Sequence, residues 1–258
     1  MKLLKRTMSR ALTEAYSLGR RSAPSGLRVL MYHAVGSSLE VDTLGLSIDP
    51  KLFEAQMRFL KNEADFKIVA LAPASLEASS PRRIAVTFDD GYRDNLTTAA
   101  PILARLAIPF TVFAVPAYLR SGKAQYLDWA GLKDLAAVPG CQIGSHGLNH
   151  FALDRLSPKE ALSELADSRK KLEDALGRPV LTVSYPFGRA NPRVRQAAAA
   201  AGYHLGCCSR TGVNAPDRDP LMLCRTEIVA HDGLRSFKQK FRGGWDWHGL
   251  RHKDPARE

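Results

Sequence analysis

No stretch of this sequence reaches the roughly 18 consecutive apolar residues that a membrane-crossing helix requires. Cysteine is scarce: Cys141, Cys207, Cys208 and Cys224 are the four present, and none stands in a Cys-x-x-Cys pair. That spacing excludes a zinc ribbon or a thioredoxin-type redox motif. The four are expected to be small buried hydrophobes in a reducing compartment. The first residues, Met1 to Met8, have the positive start of a signal peptide, but Arg10, Thr13 and Glu14 interrupt any apolar core behind it. The expectation is a cytoplasmic protein, or one lying peripherally at the inner face of the membrane. No composition is extreme. Charged residues at 24% and hydrophobic residues at 45% exclude wholesale disorder. A chain of 258 residues suits one large domain that needs neither disulfide nor metal merely to fold.

Charge is present, but unevenly. The net charge is +11. Residues 1–28 hold seven Lys/Arg against one Glu, and residues 233–258 hold seven against three acidic residues, so the body between them is nearly neutral. A neutral body argues against a nucleic-acid groove through the fold. Basic ends fit contact with an acidic surface such as anionic lipid headgroups, or serve solubility alone. The chain divides into a basic N-terminal helix and Ser/Pro/Gly linker (1–27), a main domain (28–235) and a basic tail (236–258) expected to wrap the outside or fray.

Within the main domain, short apolar runs alternate with helical patterns. Strands are expected at Arg28–Tyr32, Phe66–Ala70, Ile84–Phe88, Phe110–Ala114, Gln142–Ser145, Val180–Ser184 and His204–Cys208. Continuous apolar runs of this length belong to parallel sheets buried on both faces. Helix starts are written in the capping residues. Ser157-Pro158 opens a helix that Gly177 ends, Asp49-Pro50 opens another, and Asn191-Pro192 opens a third. Strand–helix alternation implies an α/β fold, either a barrel or a doubly wound layer.

Three motifs follow expected strands, at the end where active sites of parallel α/β folds gather. The first is Thr87-Phe88-Asp89-Asp90-Gly91. Adjacent carboxylates repel, so at least one needs a cation or a proton. Gly91 permits the tight turn that aims both at one place. The second is Ser145-His146-Gly147-Leu148-Asn149-His150. Two His four apart lie on one side of a helical turn and can reach one metal. One carboxylate and two His make a divalent-metal set with open positions, and the other carboxylate is free to act as base. The third is Ser184-Tyr185-Pro186-Phe187-Gly188, where the Phe187 N–H can point into the site as an oxyanion donor.

These motifs resemble those of the polysaccharide deacetylase family, the NodB homology domain or carbohydrate esterase family 4. The resemblance covers roughly residues 28–235, and the opening Val29-Leu30-Met31-Tyr32-His33 looks like members that act in exopolysaccharide biosynthesis. It implies a distorted (β/α) barrel of about seven parallel strands. It implies Asp89 as general base and Asp90, His146 and His150 around a divalent metal, usually zinc, with cobalt, nickel or iron also suited to such ligands. The Phe187 N–H would help bind the oxyanion, and the reaction would take N-acetyl groups from a hexosamine-containing saccharide. Two positions depart from the pattern. Many members place an Arg where Ser184 stands, and Arg225, in Leu223-Cys224-Arg225, is the candidate to supply that guanidinium. The late His that serves as general acid is only echoed in Ile228 to Asp232, where His231 is the candidate. No role falls to Tyr32 or His33, and His204 is read as a core residue. Alternatives are removal of a formyl or acetyl group from a lipid-linked amino sugar, and a carbohydrate-binding homologue that has lost the chemistry.

Overall fold

The computed structural model describes residues 25–39, 42–76 and 82–251, together with Asp254 and Ala256. The basic helix expected at the N-terminus therefore falls outside the described residues. The strands are β1 (Leu27–Tyr32), β2 (Ala34–Val35), β3 (Ser47–Ile48), β4 (Lys67–Ile68), β5 (Arg83–Phe88), β6 (Phe110–Ala114), β7 (Cys141–Ser145), β8 (Thr182–Ser184), β9 (Leu205–Cys207) and β10 (Arg225–Glu227). The helices are α1 (Pro50–Asn62), α2 (Ala100–Arg105), α3 (Pro116–Leu119), α4 (Trp129–Ala136), α5 (Pro158–Leu176), α6 (Pro192–Ala200) and α7 (Leu234–Phe241).

Seven strands run parallel in the order β10-β1-β5-β6-β7-β8-β9. The two ends of this path nearly meet. Leu223, just before β10, bridges Cys207 of β9. Its N–H donates to the Gly206 carbonyl at 2.7 Å, and its own carbonyl accepts from the Cys208 N–H at 2.9 Å. The result is a nearly closed barrel. The strand expected at Phe66–Ala70 shrinks to β4, a two-residue pairing at the foot of β5 outside the ring. The seventh strand of the ring is instead β10, which sequence reasoning passed over. Its residues, Arg-Thr-Glu, lack the apolar run that marked the others.

Side-chain alternation sorts the strand residues into two clusters. Leu30, Ile84, Val86, Phe110, Val112 and Val183 pack outward against Phe53, Met57, Leu132 and Leu165 of the helices. Val29, Ala85, Phe113, Leu205, Cys207 and Leu223 form a smaller cluster, the barrel interior, to which no described residue of α1–α7 belongs. Gly144 of β7 makes room there, since a β-carbon on it would stand 2.4 Å from the Phe113 ring. The helix starts follow their caps. Asp49 accepts from the Leu52 N–H and Asn191 from the Val194 N–H. Ser157 and Glu160 form a reciprocal capping box, and Gly177 ends α5 with a positive φ of 64°. All four cysteines are free and buried.

The C-terminal segment folds onto the barrel. Phe237 and Phe241 of α7 meet Phe59 edge-on. Past α7, Asp246 receives both Nη groups of Arg28 at 2.9 Å, and Arg28 also donates to Thr226. Arg28 and Asp246 are both buried, so the pair anchors the segment over the outer face of β1 and β10. Trp245 and Trp247 pack against His248 rather than standing free. His204 departs from the expectation. It is exposed, because β9 begins only at the next residue. Removing one partner of a buried ion pair strands the other, at a cost of about 3–5 kcal/mol. Arg28→Met is expected to lose stability on that scale in chemical denaturation, and Arg28→Met with Asp246→Leu to recover most of it. A single variant within 1 kcal/mol of the parent would show that the pair does not anchor the segment.

Candidate active site

The functional side chains stand at the C-terminal ends of adjacent strands because each continues a strand's alternation by one step. The Asp89 N–H donates to the Tyr32 carbonyl at 3.0 Å, so the ladder runs one residue past β5. Its side chain keeps the inward parity of Ala85 and Thr87. Arg225 keeps the inward parity of Leu223. The two meet inside the barrel: Arg225 Nη1 lies 2.7 Å from Asp89 Oδ1, and Nη2 lies 2.8 Å from Oδ2. The guanidinium is fixed from behind by its Nε–H donating to the Cys208 carbonyl, over the face of Phe113. Ser184, at the mouth end of β8, donates its hydroxyl to Asp89 Oδ2 at 3.1 Å. Burial pushes the Asp89 carboxyl up, but the charge and hydrogen bonds of Arg225 outweigh it and hold it well below the usual carboxylate range. Asp89 is therefore an anion at any working pH.

After Asp89 the chain turns sharply. Asp90 has φ +72° and Gly91 φ +69°. Asp tolerates this left-handed conformation better than most residues. The turn carries the Asp90 carboxylate toward two imidazoles. His146 follows β7, and its N–H donates to the Ala114 carbonyl. Its Nδ1 lies 2.7 Å from the Ser184 carbonyl. A carbonyl only accepts, so Nδ1 carries the proton and Nε2 presents a lone pair. The segment from His146 to His150 is not a helical turn, contrary to the spacing argument. Gly147 has φ +73° and His150 φ +61°, values no right-handed helix contains. The imidazoles converge through these two left-handed residues instead.

The donor set fits a metal. Two donors each about 2.1 Å from a shared ion, at a tetrahedral angle, stand about 3.4 Å apart. Asp90 Oδ1 lies 3.5 Å from His146 Nε2 and 3.4 Å from His150 Nε2. Among the described residues these three form the group able to hold an ion, with all ligand atoms within 4.8 Å. Burial, with the neighbouring His146, lowers the His150 pKa to about 4 and keeps its lone pair free at neutral pH.

Phe187 sits in the turn after β8 with φ +60° and its ring largely exposed, 4.7 Å from the His150 ring. Among the described residues, three of the four non-glycine positions with positive φ, Asp90, His150 and Phe187, thus surround one site. Backbone strain gathered in this way marks functional positions. His231 is not brought to this cluster. It is exposed in the turn after β10, with its ring beside Gly45 and near Asp42. His33 stands nearer to it. It follows β1 with the inward parity of Val29, close enough to couple electrostatically to both Asp89 and His150. Among the described residues its buried Nδ1 has no hydrogen-bond partner, while Asn95 holds its carbonyl. The strand-end placement that singled out Asp89 and His146 applies equally to His33, but no second motif residue stood beside it. Ser184 was also overlooked, because its position was read only for the Arg it lacks.

Comparison with known proteins agrees with this geometry. A family model described as polysaccharide deacetylase matches residues 77–206. YxkH of Bacillus subtilis (strain 168), named as a polysaccharide deacetylase, is 30% identical over 210 residues, covering 80% of this chain and 72% of YxkH. The structure of the Streptococcus pyogenes deacetylase PplD in complex with acetate superposes with a TM-score of 0.75 at 25% identity, covering 85% of this chain and 99% of PplD. IcaB from Ammonifex degensii shares the fold, with a TM-score of 0.72 at 23% identity over 87% of this chain and 98% of IcaB.

The lowered His150 pKa has a stability consequence with a definite sign. In the metal-stripped protein the unfolded chain protonates His150 near pH 6.5 and the folded chain only near 4. Stability contributed by the neutral imidazole is therefore lost as pH falls through that window. The thermal midpoint of the metal-stripped protein is expected to drop between about pH 6.5 and 4, and His150→Gln to flatten the drop. An unchanged profile in His150→Gln would remove this residue from the acid response.

Proposed function

Because this chain belongs to the polysaccharide deacetylase family, we propose that it is a metal-dependent amidohydrolase that removes N-acetyl groups from a hexosamine-containing saccharide. The observation that carries the reading is the convergence of an ionised, Arg-held Asp89 with the Asp90–His146–His150 donor set at one barrel mouth. The Val29–His33 opening favours a saccharide of exopolysaccharide biosynthesis. The presence of base, guanidinium and all three donors weighs against a homologue that has kept the fold and lost the chemistry.

A divalent ion on Asp90, His146 and His150, zinc by first choice, supplies Lewis acidity toward the amide carbonyl and a water. The protein's own groups do the rest. Asp89 accepts a proton from the attacking water. Arg225 and Ser184 hold its oxygens in place and keep it ionised, which makes it a weak base that takes the proton only as the water becomes acidic. The Phe187 N–H, presented by a left-handed residue beside His150, donates to the carbonyl oxygen as negative charge gathers there. His33 delivers a proton to the departing nitrogen. The C–O bond forms, the C–N bond breaks, and acetate and a free amine leave.

The test is acetate release from N-acetylglucosamine oligomers by the zinc-loaded protein, with formylated amino sugars and formate release in parallel. Removing a general acid costs about 10²–10⁴ in rate. His33→Ala is expected to lower kcat on that scale with KM little changed, and His231→Ala to leave both unchanged. The reverse pattern would move the acid to the turn after β10. Arg225→Lys keeps the charge but loses the two-pronged hold. It is expected to lower kcat by tenfold or more, and full activity would sink the role given to the pair. No release of either acid from any substrate would sink the hydrolase reading.

A further inference from the structure

The two imidazoles of the site are not held alike. His146 is fixed twice, through its N–H on the Ala114 carbonyl and its ring on the Ser184 carbonyl. Among the described residues no hydrogen bond fixes the His150 ring. It faces Asp90 at 3.4 Å and lies between the rings of Tyr118 and Phe187, 5.6 and 4.7 Å away. His150 also has a left-handed backbone that L side chains rarely adopt. Something outside the residue must set where its lone pair points.

That constraint comes from helix α5. Between the two His run Gly147, Leu148 and Asn149, and each is tied to the helix behind. Glu164 accepts from the Leu148 N–H at 3.2 Å, from the Asn149 N–H at 3.0 Å, and from the Asn149 side-chain amide. One turn later, Ser168 donates to the Gly147 carbonyl at 3.0 Å and shares a 2.8 Å hydrogen bond with Ser145. Glu164 and Ser168 are four residues apart and so share one helix face. Glu164 is 8% exposed, and among the described residues no cation pairs with it. Burying a carboxylate costs several kcal/mol after relaxation. Here the compensation comes only from neutral N–H groups, all belonging to the segment between the metal donors. The negative charge also favours a cation nearby.

We infer that Glu164 is a positioning residue for the metal site: it holds the His146–His150 segment so that His150 Nε2 stays at ligand distance from Asp90, and thereby sets the affinity for a divalent ion. The inference rests on the metal-dependent reading proposed above. Partners that orient metal ligands are worth about 10–100-fold in affinity.

The test is zinc affinity of the full chain, by competition with a chromophoric chelator, for the parent, Glu164→Gln and Ser168→Ala. The visible spectrum of the cobalt-loaded proteins and the thermal midpoint of the metal-stripped proteins are measured beside it. Glu164→Gln keeps the shape and one acceptor oxygen but removes the charge. It is expected to weaken zinc binding about tenfold or more and to alter the cobalt spectrum. Its metal-stripped midpoint stays near the parent's. Parent-like zinc affinity and cobalt spectrum in a folded Glu164→Gln would overturn the inference and leave Glu164 as a helix–loop tether. Should Glu164→Gln fail to fold, Ser168→Ala decides: a loss of severalfold supports the inference and parent-like affinity overturns it. A parent that takes up neither zinc nor cobalt would end the metal-dependent reading itself, and this inference with it.

Discussion

Asp89 and Arg225 face each other inside the barrel with almost no surface in contact with solvent, 2% and 0% exposed. A buried ion pair is costly unless its geometry is good and its remaining groups are satisfied. Both conditions hold here: the contact is two-pronged, the third guanidinium donor reaches the Cys208 carbonyl, and Ser184 adds a donor to the carboxylate. The rest of the structure is arranged around this pair. Arg225 begins β10 and Asp89 ends the run of β5, with β1 between them, so the pair spans three strands of the wall. The same guanidinium reaches back to the residue after β9, across the seam where Leu223 bridges Cys207 and the ring of strands closes. Closure of the barrel and ionisation of the carboxylate are thus one arrangement seen from two sides.

Around the mouth, rigid and strained elements divide the labour. The strands place Asp89, His146 and Ser184 by continuing their ladders, with little freedom. Asp90, His150 and Phe187 lie one turn further out and occupy left-handed backbone. Such conformations persist only where neighbours over-determine them. The neighbours are identifiable: the Gly91 carbonyl is held by the Leu127 N–H, the loop before His150 by Glu164 and Ser168, and the turn at Phe187 by the Gly188 N–H on the Tyr185 carbonyl. The Ser184 residue joins both systems, its hydroxyl donating to the Asp89 carboxylate and its carbonyl accepting from the His146 ring.

Membership of the polysaccharide deacetylase family, the helix caps and six of the seven ring strands were readable in the sequence, because each signal lies within a few residues. Caps are contacts between a side chain and an N–H three positions on, as at Asp49, Ser157 and Asn191. Buried parallel strands announce themselves as apolar runs. The motif pairs Asp89-Asp90 and His146/His150 were visible because two chemically paired residues stand close together after a strand. The helical reading of the His pair failed for an instructive reason: spacing alone cannot distinguish a helical turn from two left-handed residues that bring the same rings together.

What only the tertiary structure decided lies across long separations. Arg225 reaches Asp89 over 136 residues, and Ser184 over 95. The strand that carries Arg225 has no apolar run, since the position facing the interior is the charged one. His33 acquires its place beside Asp89 only because β1 and β5 pair in register, Tyr32 opposite Phe88. His231 carries the stronger sequence echo yet ends in an exposed turn. Local sequence determines elements and caps because those energies are local. Which charges share a buried interior is decided when the strands close into a barrel, and there a carboxylate must find its counter-charge wherever the fold delivers one.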